Sequence, residues 1–109
     1  MKNTAAGSKV QRRKQKNPTV HEFTFLTNHS HVLVCLAKGE DITLREVAMR
    51  VGITERAVLA IVKDLTLAKV LSVSKNGRRN MYRVNPQIHL RHPVEQHKTV
   101  GDLLKSILD

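Results

Sequence analysis

Arg56 and Lys63 lie two helical turns apart, with Leu59 and Ala60 between them. This combination suits chemistry with a polyanion. A guanidinium reaches guanine O6 and N7 bidentately, and a small aliphatic group packs on the methyl of thymine. Thr54 and Glu55 come just before, where a helix start would let the threonine hydroxyl and the backbone amides hold a phosphate. A second cationic group, Lys75, Arg78 and Arg79, surrounds Asn76-Gly77, and Arg45 and Arg50 supply further phosphate-binding candidates. The competing reading of Arg56 and Lys63 is a solvated face paired with Glu55 or Asp64. No nucleophile and base are spaced to work together, no carboxylate pair shares a site, and no Gly-rich phosphate loop is present. A non-enzymatic binding protein is expected.

These side chains need elements to hold them. Thr43 and Glu46 form a capping box that opens a helix with Val47, Ala48 and Val51 on one stripe, and Gly52 ends it in a turn that favours φ > 0. Thr54 caps a second helix, 54–68, whose Ala57, Val58, Ile61, Val62, Leu65 and Ala68 recur at three- and four-residue steps. Two helices joined by a short Gly-containing turn make a helix-turn-helix. Asn28 is the expected cap of an earlier helix reaching Lys38, with Val32, Leu33 and Leu36 inward and Gly39 ending it. Asp41 to Thr43 is a candidate third strand. Residues 70–84 alternate in polarity about Asn76-Gly77 and predict a hairpin with a basic tip, closed by Asn85-Pro86. A basic hairpin beside a helix-turn-helix is a wing. The expected fold class is mainly α with a small β-hairpin (α+β), a winged helix-turn-helix.

Length and charge agree with that reading. The 109 residues fit one domain with tails, and the net charge is +10. Residues 1–17 carry Lys2, Lys9, Arg12, Arg13, Lys14 and Lys16 and no acid, so a disordered basic arm is expected there. It either contacts phosphates or a minor groove, or is a solvated extension. The domain is expected over 18–98, with Phe23 and Phe25 against the core or a partner subunit. A single cysteine excludes an internal disulfide, and no run is long enough to span a membrane. With no signal-peptide pattern, a cytoplasmic location is expected.

The order helix, helix-turn-helix, basic hairpin resembles MarR-type and related winged-helix transcriptional regulators. More narrowly, TFLTNH (24–29), VGITERAV (51–58), GRRNMYRVNP (77–86) and LRHPVEQHKTVGDLL (90–104) resemble a group of small bacterial winged-helix regulators. The resemblance spans about Thr24 to Leu108. It implies a recognition helix in the major groove, with a wing on the backbone or minor groove. Two departures stand out. Leu59 and Ala60 occupy positions where such families often carry Gln or Arg, and Lys69 stands where they often have Gly.

Residues 99–109, TVGDLLKSILD, begin with a T-x-x-D capping pattern and place Val100, Leu103, Leu104, Ile107 and Leu108 on one stripe. A helix this short is marginal alone, so the stripe must be covered. It folds back on its own domain or pairs with a second copy; the resemblance favours a homodimer. His29 and His31 flank Ser30 near Cys35, and His89, His92 and His97 cluster with Glu95. No i, i+4 histidine pair occurs, and Pro93 interrupts the second set. Neither a metal nor another cofactor is expected, and Cys35 reads as a small core residue. The leading expectation is a sequence-specific transcriptional regulator that binds double-stranded DNA as a homodimer. The alternatives are a winged-helix protein-interaction adaptor and an RNA-binding module.

Overall fold

Four threonines set where the helices begin. In the computed structural model, residues 22–39 and 41–109 are described. The basic arm 1–17 and the expected domain start at Pro18 lie outside them. Helix α1 (Asn28–Ala37) is capped by Thr27, whose Oγ1 accepts from the Ser30 amide at 3.3 Å. The expected cap, Asn28, is already helical; its Oδ1 lies 3.2 Å from His31 Nδ1. Helix α1 buries Val32, Leu33, Cys35 and Leu36.

Helix α2 (Leu44–Val51) has the full capping box: Thr43 Oγ1 accepts from Glu46 N, and the Glu46 carboxylate accepts from Thr43 N at 3.0 Å. It ends at Gly52, in the left-handed region at φ +85°. The amides of Gly52 and Ile53 both donate to Ala48 O. Helix α3 (Glu55–Leu67) starts on Thr54, whose Oγ1 accepts from Ala57 N at 3.0 Å. Val58, Ile61, Val62 and Leu65 are buried, while Ala57 and Ala68 are half-buried. Past the cap, Val70 N donates to Leu65 O and Lys69 N to Thr66 O, the paired bonds of a Schellman ending. Lys69 supplies the left-handed residue, at φ +67°.

Strands β1 (Leu71–Asn76) and β2 (Arg79–Val84) pair antiparallel, with Leu71 opposite Val84 and Asn76 opposite Arg79. The two-residue loop is therefore Gly77-Arg78, one position later than the Asn76-Gly77 turn expected. Only its first residue has positive φ, as a type II′ turn requires, and glycine adopts that at no cost. The candidate third strand at Asp41–Thr43 does not form; the sheet is two-stranded. The Thr43 amide is bound to Glu46, and its carbonyl accepts from Val47 N, so both groups already serve the start of α2. Ile42 instead enters the core.

Helix α4 (Val100–Leu108) has a second capping box, between Thr99 and Asp102. Its first amides are satisfied by the chain leaving the wing: Val100 N donates to Ile88 O and Gly101 N to Pro86 O. A Cβ at Gly101 would stand 2.9 Å from Pro86 Cβ and 3.0 Å from its carbonyl oxygen, so only glycine fits that approach. Helix α4 packs on α1 and buries Val100 and Leu104 in the common core. This corrects the expectation that the whole stripe serves dimerisation. Those two residues are covered by their own chain, Leu103 is half-buried, and Ile107 and Leu108 remain exposed. Phe23 and Phe25 do not reach the core either. They are 76% and 93% exposed and meet each other edge to face, centroids 5.3 Å apart.

Lys69→Gly is expected to stabilise the domain by about 1 kcal/mol, because a β-carbon in the left-handed region carries a penalty of that order; the urea midpoint measures it. The capping boxes give a pH dependence. Backbone N–H donation from Thr43, then its hydroxyl, holds the Glu46 carboxyl below its ordinary range, and Thr99 does the same for Asp102. Folded pKa values below the unfolded ones contribute stability that is complete above about pH 5 and is lost as acid protonates the folded carboxylates, below about pH 4. The pair Glu46→Gln and Asp102→Asn is therefore expected to flatten the fall of the urea midpoint between pH 6 and pH 3.

Candidate nucleic-acid interface

The capped start of α3 and the stripe it buries fix which of its side chains turn outward. Glu55, Arg56, Leu59, Ala60 and Lys63 are all exposed, with Thr54 exposed at the helix start. Arg56, Leu59, Ala60 and Lys63 share the side turned away from Val58, Ile61, Val62 and Leu65, with Glu55 at its edge. The Thr54 oxygen accepts from Ala57, which leaves its hydroxyl proton to donate outward. On α2, Arg45 and Arg50 are exposed, and Arg50 lies close enough to Glu46 to favour its ionised form.

The wing divides its cations. Lys75 sits across from Asn80 near the hairpin end, and Arg78 is the second loop residue; both are exposed. Arg79 is turned back onto the body of the domain, where its Nη2 lies 2.9 Å from Asp41 Oδ1, and its charge also reaches Glu46. Of the three cations expected to meet a ligand, Arg79 thus acts as a strap between the wing and the segment before α2. Asp41 was not singled out by its sequence context. It lies 38 positions from Arg79, and no periodicity links them.

Four histidines make hydrogen bonds within the domain. His29 Nε2 lies 2.8 Å from Asp64 Oδ2 and ties α1 to α3, so Asp64 partners a residue of another helix and not a neighbour on its own. His89 Nδ1 donates to the Gln96 carbonyl at 2.8 Å, and His92 Nδ1 accepts from Val94 N. Cys35 is a buried core residue. Among the described residues no three His, Cys, Asp or Glu side chains come together as metal ligands. No helix among them is long and apolar enough to cross a membrane.

Because the Asp41–Arg79 pair is exposed, its coupling in a double-mutant cycle of Asp41→Asn and Arg79→Gln is expected to be at most about 1 kcal/mol. It should shrink toward zero in 1 M salt, where the Debye length is about 3 Å. A larger, salt-resistant coupling would mean that the pair does more than tether the wing.

No family model matches the sequence, and no curated protein is detectably similar to it. Among solved structures, the chain is similar to the zinc-dependent MarR family transcriptional regulator AdcR in its Zn(II)-bound state. The two share 26% identity over 63% of this chain, with a TM-score of 0.44. The match spans about half of that regulator, 49% of its length.

Proposed function

We propose that the chain is a sequence-specific DNA-binding transcriptional regulator. The observation that carries this reading is the outward face of α3, where Arg56 and Lys63 bracket Leu59 and Ala60 on a short helix raised above a buried stripe. Laid in a major groove, this face puts a guanidinium at base edges, apolar groups at thymine methyls and an ammonium at the phosphate wall. Thr54 and the amides of the first turn bind the backbone at the groove edge. Lys75 and Arg78 extend the contact to the flanking backbone or minor groove, and the basic arm 1–17 adds charge. About six phosphate contacts in all give a log–log salt slope near −5.

The apolar surface left uncovered fits a homodimer. Ile107 and Leu108 on α4, 41% and 38% exposed, and the more open Phe23–Phe25 pair are large hydrophobic groups that their own chain covers only in part. Two copies then read half-sites about 10 bp apart, or a multiple of that spacing. The adaptor reading has an observation in its favour: Met49 and Leu67, on α2 and α3, are 74% and 72% exposed. It entails binding to a protein partner that salt hardly affects.

The first test is selection of bound duplexes from a randomised pool at about 150 mM salt. Enrichment of a near-palindromic sequence is expected; failure to enrich any sequence would reject the regulator reading. Arg56→Ala is then expected to relax preference at one base position, at a cost of about 1 to 3 kcal/mol. Arg78→Ala should instead weaken all duplexes alike and reduce the salt slope by about 1.

A further inference from the structure

The outward face of α3 holds an apolar step between two cations. Arg56 lies one turn before Leu59 and Lys63 one turn after it, on the same side of the helix. Leu59 is 57% exposed, and the next residue, Ala60, is exposed as well. A leucine alone on a surface needs no explanation. This one stands between an arginine and a lysine on its own face, in a chain of net charge +10. A groove with anionic walls and an apolar feature on its floor complements that pattern. The exposed positions of α3 also include no Asn or Gln, the side chains that bond adenine bidentately. Bidentate readout of adenine from α3 is therefore missing, and the apolar step of Leu59 offers another way to register an A·T pair.

We propose that Leu59 recognises the 5-methyl group of a pyrimidine in the major groove, which makes the chain a reader of C5 methylation at that base step. The inference rests on the DNA-binding reading and adds to it the chemical feature being read. Leucine has neither donor nor acceptor. It cannot tell the O4 acceptor of thymine from the N4 amino group of cytosine, and the methyl group is the one feature it registers. Thymine and 5-methylcytosine are then equivalent at this step, and uracil and unmethylated cytosine are both disfavoured. Burying one methyl group corresponds to roughly fourfold in affinity.

The test uses the full chain and a duplex enriched from the randomised pool. Each thymidine is replaced in turn by deoxyuridine, and the position that responds is rebuilt as cytosine and as 5-methylcytosine opposite guanine. The expected result is one step per half-site where uracil and cytosine each weaken binding about fourfold and 5-methylcytosine restores it. Leu59→Ala should bind all four duplexes alike, and Leu59→Met should keep the preference for the methyl. The exposure of Leu59 makes both substitutions surface changes, and an unaltered urea midpoint checks this. Two results would overturn the proposal and leave the DNA-binding reading standing: uracil tolerated at every position, or a uracil penalty that persists in Leu59→Ala. If no duplex is enriched at all, both readings fall together.

Discussion

Val47 of α2 and Val58 of α3 have no accessible surface, and the outward face of the domain depends on their burial. With these two residues sealed in the core, the rotation of each helix about its own axis is fixed. Gly52 then turns the chain between them within a few residues, its amide and that of Ile53 both bonded to Ala48 O. Close packing leaves little freedom to rotate either helix without opening a cavity. Arg56, Leu59 and Lys63 are presented together because Val58, Ile61, Val62 and Leu65 are held on the other side.

What the sequence shows of this arrangement is what short-range stereochemistry controls. Thr43 with Glu46, Thr54 with Ala57 and Thr99 with Asp102 each act over three residues, and the left-handed turn at Gly52 depends on one residue lacking a β-carbon. Such signals are complete within a few positions, and the structure contains them as read. The exposed face of α3 follows from the same local periodicity. The hairpin was legible too, but its register was not. Asn76-Gly77 and Gly77-Arg78 are both acceptable loops, and cross-strand pairing selects the second.

Long-range partners left no comparable trace. Asp41 with Arg79 and His29 with Asp64 join side chains more than thirty positions apart, and each would look solvated beside its sequence neighbours. The destination of the α4 stripe had two physically acceptable answers. Only the docking of its first turn on the carbonyls of Pro86 and Ile88 shows that Val100 and Leu104 belong to their own core. The departure at Lys69 has a structural meaning that composition alone does not carry. The helix exit keeps its left-handed geometry even though the residue there is not glycine.

The way α4 is anchored bears on where the domain can be cut. Its opening amides satisfy carbonyls of the strand-exit segment, its apolar residues roof α1, and Gly101 admits Pro86 at a separation no other residue would allow. A fragment that stopped at Lys98, just before α4, would contain every outward-facing residue of α3 and both strands. It would also leave two backbone acceptors without their donors and uncover part of the helix on which the helix-turn-helix rests. The smallest autonomous unit is therefore larger than the part that faces a ligand, and the C-terminal helix is a structural member of it.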